Sequence, residues 1–320
     1  MPRRKCHPAR RAGAALVVAS LLGVSCSRDS KHVDAQPRSP NTTRTAATIQ
    51  DLAYGPDPDH RLDLRTPEGN GPHPVIVWIH GGGFVGGDEN DLPGLVAAQV
   101  DRGFAVASLR HRLAPAHPFP AAVRDAKRAV RWLKSRAERY RLDADRVVAW
   151  GHSSGATLAS MVALTPGILE PTVVPRGLSE QSSAVVAFVV EAGPTDLTTW
   201  WWQSGASSLS STLAYFACAE IYTCSRRAML RASPVHWVDP SDPPGYLAYV
   251  RQDPLVDAEL QGQPLRLALL EANGPDGVLW DLVDADPESA GAHYPEPWID
   301  LTALECFLDR SVDRPETSCG

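Results

Sequence analysis

The segment GHSSG, residues 151–155, holds the residue types and spacing that most clearly could do chemistry. The pattern Gly-x-Ser-x-Gly is typical of a serine on a sharp turn between a strand and a helix, with its hydroxyl exposed. A candidate strand precedes it at 146–150, and a helix-like stretch follows at 156–164. The pattern therefore predicts Ser153 as a nucleophile. A plain Gly/Ser turn is the alternative interpretation.

A glycine-rich segment, HGGGF at 80–84, follows another buried candidate strand. Three consecutive glycines expose backbone N–H groups, which suits an oxyanion hole that meets a carbonyl oxygen as it becomes anionic. We expect Gly82 and Gly83 to donate, together with the N–H of Ser154, and His80 to be structural. The alternative, a phosphate-binding loop, lacks the Gly-Lys-Ser/Thr ending of such loops.

The serine also needs a base, because a serine hydroxyl at its ordinary pKa is a poor nucleophile. In the fold that uses a Gly-x-Ser-x-Gly turn, the acid and then the histidine follow the serine along the chain. His236 precedes the candidate acid strand, whereas His293 follows it. The order predicts His293 as the base and Asp253 as its acid, with Asp257 as the second choice. The alternatives are a surface-loop histidine and an aspartate that only caps a turn.

Short apolar stretches alternate with helical patterns from residue 49 onward. Uninterrupted apolar runs are typical of parallel strands covered on both faces, and strand–helix alternation indicates βαβ units. The clearest helix is 121–140, with apolar residues at three-to-four-residue spacing, and a final helix is predicted at 298–308. The sequence therefore predicts an α/β fold with a doubly wound, mostly parallel sheet. The candidate strands are 61–65, 75–79, 104–109, 146–150, 184–191, 246–251 and 278–283.

One stretch, 197–233, interrupts this alternation just after a strand end, where it could cover the site as a short lid. It contains Trp200, Trp201 and Trp202 in a row, and a regular element cannot bury three consecutive side chains on one side. We expect at least one indole to face a substrate cavity. Packing of all three onto the domain is the alternative. Phe84 is also predicted to contact substrate.

The amino terminus has the composition of an export signal. Basic residues cluster within its first positions, and an apolar run at 12–24 follows them, as in a secretory signal. The stretch LGVSC at 22–26 resembles a bacterial lipobox. We therefore predict that 1–25 is a lipoprotein signal and that Cys26 carries lipid, which places the protein in a bacterial cell envelope. A plain signal peptide and a secreted protein are the alternative.

The chain has 320 residues and a net charge of −6, without a basic stripe in its body. Phosphate binding needs a clustered cationic surface, so this composition argues against a nucleic-acid partner. The polar stretch 26–48 is predicted to be a disordered tether, and 49–320 to be the folded domain. Membrane contact is expected only through lipid on Cys26.

Four cysteines fall within the predicted domain, and sequence alone leaves three ways of pairing them. Short spacing in an oxidising compartment favours local pairs. We expect disulfides between Cys218 and Cys224 and between Cys306 and Cys319. Buried free thiols are the alternative.

Together, HGGGF and GHSSG make the chain resemble the hormone-sensitive-lipase-like and feruloyl-esterase-like branch of the α/β-hydrolases. The likeness extends over residues 50–310 and includes the stretch 112–122, which leads into the helix before the serine turn. The chain departs from that branch at Ser154, where Ala is usual. It departs again before Asp253, where Val-Arg-Gln at 250–252 replaces the frequent His-Gly. The resemblance implies hydrolysis of carboxylic esters without a metal ion or an organic cofactor.

The resemblance implies a serine carboxylesterase that forms an acyl-enzyme through a Ser-His-Asp triad. The short lid favours short-chain or aryl esters, since it can cover a small acyl pocket more readily than a long lipid tunnel. Two other classes remain open. One is an amidase or peptidase with the same triad, and the other is a catalytically inactive hydrolase-fold protein that only binds.

Overall fold

The computed structural model describes residues 45–171, 173–284, 293 and 299–314. The strands in these ranges are β1 (Ala47–Ala53), β2 (Arg61–Thr66), β3 (His73–Ile79), β4 (Ala105–Leu109), β5 (Leu142–His152), β6 (Ala187–Glu191), β7 (Gly245–Val250) and β8 (Val278–Val283). They form one sheet in the order β1-β2-β4-β3-β5-β6-β7-β8. The pairs β1–β2 and β2–β4 are antiparallel. All the other neighbouring pairs in this described sheet are parallel.

The central strand β3 shows why these strands appear in the sequence as unbroken apolar runs. Every residue of β3 is buried. Val75, Val77 and Ile79 pack into the apolar cluster on one face of the sheet, whereas Ile76 and Trp78 pack into the cluster on the other face. Successive side chains of a strand point to opposite faces, so a sheet covered on both faces needs apolar residues at every position.

Helices cover both faces of the sheet. The described α-helices are α1 (Gly94–Ala97), α2 (Ala121–Ser135), α3 (Ala137–Tyr140), α4 (Ser154–Leu164), α5 (Ala206–Phe216), α6 (Arg226–Ala232), α7 (Gln263–Asn273) and α8 (Leu301–Ser311). Residues of α2, α4 and α7 belong to the first cluster, and residues of α1 and α8 to the second. The predicted doubly wound, mostly parallel sheet is confirmed.

Three differences between the observed and the predicted elements have a clear physical cause. β1 is not predicted, because its residues are exposed or half-buried and form no apolar run. It begins at Ala47, inside the predicted tether. The predicted helix 121–140 is two helices, since Arg136 has φ −112° and ψ 11°, outside the helical region. The last helix begins at Leu301, where the Asp300 side chain accepts a hydrogen bond from Ala303 N at 3.0 Å and caps the helix.

The segment 197–233 forms a separate group of short helices after β6. It consists of the 3₁₀ turn Trp200–Trp202, then α5, the 3₁₀ turn Ile221–Thr223 and α6. The predicted disulfide Cys218–Cys224 is present and closes the loop between α5 and α6. The predicted partner of Cys306, Cys319, lies outside the described residues. So do the predicted signal 1–25, Cys26 and the predicted tether up to residue 44.

Candidate active site

Ser153 occupies a sharp turn between β5, which ends at His152, and α4, which begins at Ser154. Its backbone has φ 54° and ψ −126°, a conformation that L-residues rarely adopt. The turn is tight because α4 packs directly on β3: a Cβ added at Gly155 would lie 2.1 Å from the carbonyl oxygen of Ile79. Such strain persists only where the surrounding structure holds it, and it is concentrated at functional sites.

Asp253 and His293 form a buried hydrogen-bonded pair. His293 Nδ1 lies 2.7 Å from Asp253 Oδ2, and the Asp253 side chain is fully buried. The other carboxylate oxygen accepts hydrogen bonds from Leu255 N at 2.7 Å and Val256 N at 3.1 Å, which fixes the carboxylate after β7. A neutral imidazole that donates from Nδ1 has a lone pair on Nε2. The arrangement therefore prepares Nε2 to accept a proton.

The glycine-rich segment 81–83 follows β3 and forms a loop with left-handed backbone at two positions. We call it the oxyanion loop, after its predicted role. Gly82 has φ 108° and Gly83 has φ 62°, and a Cβ at position 82 would lie 2.3 Å from the carbonyl oxygen of Gly86. The Gly82 carbonyl accepts hydrogen bonds from Val85 N and Gly86 N, both at 3.1 Å. These two hydrogen bonds form a tight turn across residues 82–86.

His80 lies at the end of β3 and is structural in this arrangement. Its ring is buried and stacks on the ring of His111, with centroids 4.5 Å apart. Its Nδ1 lies 2.7 Å from the carbonyl oxygen of Gly81. Burial lowers the pKa of His80, and it lowers the pKa of His111 to about 3, so both rings are neutral at neutral pH.

One cavity of about 450 Å³ brings the predicted chemical groups together. Ser153 and His293 line it with the predicted oxyanion glycines, Gly82 and Gly83. The segment 197–233 supplies the facing wall. The described lining residues are Gly82, Gly83, Val85, His152, Ser153, Trp200, Ser204, Ser207, Ser210, Ser211, Leu255 and His293.

The predicted substrate contacts are only partly placed at this cavity. Trp200 lines it, and its Nε1 donates a hydrogen bond to Leu255 O at 3.0 Å. Trp201 and Trp202 are absent from its described lining, and Trp202 is 50% exposed. Phe84 is buried and stacks on Tyr215 with centroids 3.8 Å apart. Phe84, Trp201 and Trp202 are therefore not among the described lining residues, and their contact with substrate stays a prediction.

His236, which the chain order disfavoured, and Asp257, the second choice for the acid, have other surroundings. His236 is 41% exposed in its side chain, and its nearest described carboxylate is Asp196, at 3.9 Å. Asp257 caps the helical turn Ala258–Gly262, where it accepts hydrogen bonds from Glu259 N and Leu260 N. Neither side chain is among the described residues that line the cavity of Ser153.

His152 lies at the site, although it is not among the residues that the sequence predicts to act there. It lines the cavity, and its Nε2 lies 3.1 Å from the carbonyl oxygen of His293. Burial is the main cause that lowers the pKa of His152 to about 3, with a further contribution from His293. The only sequence signal was its position next to the nucleophile, which does not show where the ring points.

The sheet, the strained serine and the histidine–aspartate pair are together typical of an α/β-hydrolase. The chain belongs to the BD-FAE family, whose family model matches residues 62–269. The predicted family resemblance and the predicted fold class are thereby confirmed.

The chain is similar to named esterases over parts of their length. It is 27% identical over 234 residues to Esterase LipQ of Mycobacterium tuberculosis, a match that covers 72% of this chain and 54% of LipQ. The chain thus spans about half the length of that relative. It is 37% identical over 122 residues to ethyl acetate hydrolase of Pseudomonas putida, covering 36% of this chain and 38% of the relative.

A solved structure supports the fold over most of the chain. A truncated carbohydrate esterase from gut microbiota matches with a TM-score of 0.65 and 21% identity, covering 87% of this chain and 97% of that one. At this level of identity the match shows a shared α/β-hydrolase fold.

Proposed function

We propose that this protein is a carboxylesterase that works through Ser153, His293 and Asp253. The observation that carries the proposal is the sharing of one cavity by the strained serine, the histidine of the buried pair and the oxyanion glycines. A nucleophile with a base that a third group orients is the arrangement of covalent acyl transfer. The names of the two relatives described above, an esterase and an ethyl acetate hydrolase, support the same reaction.

In the proposed mechanism, Ser153 Oγ attacks the acyl carbon while His293 Nε2 takes its proton. Asp253 holds the imidazole ring and stabilises the imidazolium that forms. The N–H groups of Gly82, Gly83 and Ser154 bind the oxygen as it becomes negative. His293 then gives its proton to the leaving alcohol, and a water molecule repeats the sequence on the acyl-enzyme.

The cavity favours a small ester whose alcohol part carries further hydroxyl groups, as a sugar does. Its volume of about 450 Å³ is at the lower end for a small-molecule site. Trp200 and Leu255 offer apolar surface for a short acyl or aryl group, whereas α5 and the turn before it contribute four serines. One relative is named ethyl acetate hydrolase, and one solved structure that shares the fold is named a carbohydrate esterase. We therefore infer acetyl and other short esters, including those of sugars, as the substrate class.

A substrate panel tests this assignment. p-Nitrophenyl acetate, butyrate and palmitate would be compared with an acetylated xyloside and with the p-nitroanilide of acetic acid. We expect turnover of the acetyl and butyryl esters and of the sugar acetate. Preference for the palmitate would contradict the substrate class. Preference for the anilide would favour an amidase, and absence of turnover would favour a binding protein.

We further propose export of the protein with lipid on Cys26. The support is the sequence of the amino terminus, a basic cluster followed by an apolar run and a lipobox-like stretch. Among the described residues, none of the helices combines the length and apolar character needed to cross a membrane. Intact-mass analysis after expression in a bacterium should show diacylglyceryl on Cys26. A mature chain that retains residues before Cys26 would contradict the proposal.

A further inference from the structure

The ring of His152 touches two parts of the site at once. On one side, Nε2 lies 3.1 Å from the carbonyl oxygen of His293 and the two rings meet edge to face, with centroids 4.6 Å apart. A carbonyl oxygen can only accept, so Nε2 carries the proton of this hydrogen bond. The backbone of His293 is therefore held by the residue that precedes Ser153 in the chain.

On its other side, His152 packs against the start of the oxyanion loop. A Cβ added at Gly81 would lie 3.0 Å from His152 Nδ1 and 3.2 Å from Ser153 Cβ. The bare backbone of Gly81 thus lets the loop rest directly on the histidine ring. The ring lies between the loop that is proposed to bind the oxyanion and the backbone of the proposed base.

The protonation state of His152 suits this place. The ring is 3% exposed, and burial keeps its pKa near 3. It therefore stays neutral while the neighbouring His293 becomes an imidazolium during the reaction. A charged side chain here would repel the imidazolium in a buried environment, where such repulsion is strong.

We propose that His152 is a positioning residue that holds the His293 backbone and the oxyanion loop in register with Ser153. This inference rests on the proposed function, because it assigns a role to His152 in the same reaction. His152 does not exchange a proton with substrate. It acts through the N–H that it donates to His293 and through the surface that it offers to Gly81.

The test compares two variants that lose the hydrogen bond to the His293 carbonyl with one that can retain it. His152→Leu removes the N–H, and His152→Asn keeps an amide that is too short to replace Nε2. His152→Gln keeps an N–H at a similar reach. The matched control is His73→Leu, since His73 is also buried, 8% exposed, and begins β3 at the opposite end from the oxyanion loop. Each kcat for p-nitrophenyl acetate is divided by the number of sites that a fluorophosphonate labels to completion, so unfolded protein is not counted.

We expect kcat per labelled site to fall by about 10- to 100-fold in the Leu and Asn variants, the loss expected for a small misplacement of reacting groups. KM should change little, His152→Gln should recover most of kcat, and His73→Leu should match the parent. A parental kcat in the Leu or Asn variant would overturn the inference alone, as would a Gln variant no better than Asn. Absence of label from the parent would overturn the proposed function and this inference with it.

Discussion

The backbone of Ser153 is held in its left-handed conformation by packing at the neighbouring glycine. The carbonyl oxygens of Ile79 and His80 would lie 2.1 and 2.3 Å from a Cβ at Gly155. Both contacts are to backbone, which cannot rotate away as a side chain could. The serine turn therefore depends on the absence of a side chain at position 155.

Gly155→Ala should therefore lower the free energy of unfolding by about 1–3 kcal/mol, the usual cost of overpacking a dense core, and should reduce ester hydrolysis with it. Denaturant unfolding and p-nitrophenyl acetate turnover measure the two effects. The control is Gly94→Ala, because a Cβ at Gly94 would meet nothing within 4 Å. Equal stability of the two variants would show that the close approach at Gly155 is relaxed at little cost.

The negative charge of Asp253 should be needed for turnover. Asp253→Asn keeps the size of the side chain but removes the charge that stabilises the imidazolium and selects its tautomer. We expect kcat to fall by about 10³- to 10⁴-fold, as for the equivalent change in other triads, with the fold retained. Asp257→Asn should leave kcat near the parental value, since Asp257 only caps a helical turn. Equal losses in the two variants would contradict the assignment of the acid.

Chain order was enough to predict the pair of Asp253 and His293, because this fold fixes the sequence in which its acid and base follow the serine. It could not predict which aromatic rings reach the cavity. Phe84 directly follows the glycines that are predicted to bind the oxyanion, yet its ring packs on Tyr215 and its φ is 67°. The direction of such a side chain is set by backbone torsion and packing, which residue type does not show.

At the scale of elements, the segment 197–233 acts as a wall of the cavity through α5 and the turn before it. Trp200 connects this wall to the loop that follows Asp253, through its hydrogen bond to Leu255 O at 3.0 Å. Trp202 belongs to the same turn but is 50% exposed. The two residues are both tryptophans of one turn, but only Trp200 lies at the cavity.

Trp200→Ala should enlarge the cavity and shift the preferred acyl chain from acetyl towards longer esters, whereas Trp202→Ala should leave the profile unchanged. The Trp200 variant should also lose about 3–5 kcal/mol of stability, as expected for truncation of a buried tryptophan. The acyl-chain profile of p-nitrophenyl esters from acetate to decanoate measures the first effect. An unchanged acyl-chain profile in a folded Trp200→Ala variant would show that the Trp200 ring only stabilises the fold.

Most strands could be predicted from the sequence because strands covered on both faces are apolar at every position, as in β3. β1 could not, since it lies at the edge of the sheet with exposed side chains. The apolar residues of 121–140 follow helical spacing without interruption, so the break at Arg136 could not be predicted from the sequence. Edge strands and local breaks depend on tertiary contacts rather than on local pattern.

At the scale of the whole molecule, buried histidines couple the stability of the protein to pH. Burial lowers the pKa of both His111 and His152 to about 3, whereas an unfolded histidine has a pKa of about 6.5. Between these values the unfolded chain binds protons that the folded protein does not. Stability therefore falls as pH falls below about 6.5. Asp242 has the opposite effect on stability. Burial raises its pKa to about 6, so the folded protein binds a proton there before the unfolded chain does as pH falls.

The free energy of unfolding should consequently be lower at pH 4.5 than at pH 7.5, and His111→Asn should reduce that dependence. Removing one such group should lower the slope by about 1.4 kcal/mol per pH unit between pH 5.5 and 4, the value for one proton. Urea unfolding of the parent and the variant across this range gives both slopes. Identical slopes would show that His111 titrates equally in the folded and unfolded states.

The central claim, that Ser153 is the nucleophile of an ester hydrolase, is tested most directly by fluorophosphonate labelling with peptide mapping. The account predicts label on Ser153 of the parent and none on folded Ser153→Ala. That variant should lose at least about 10³-fold of the parental p-nitrophenyl acetate turnover, since only binding and the oxyanion loop remain. Label on another residue, or parental turnover by Ser153→Ala, would contradict it.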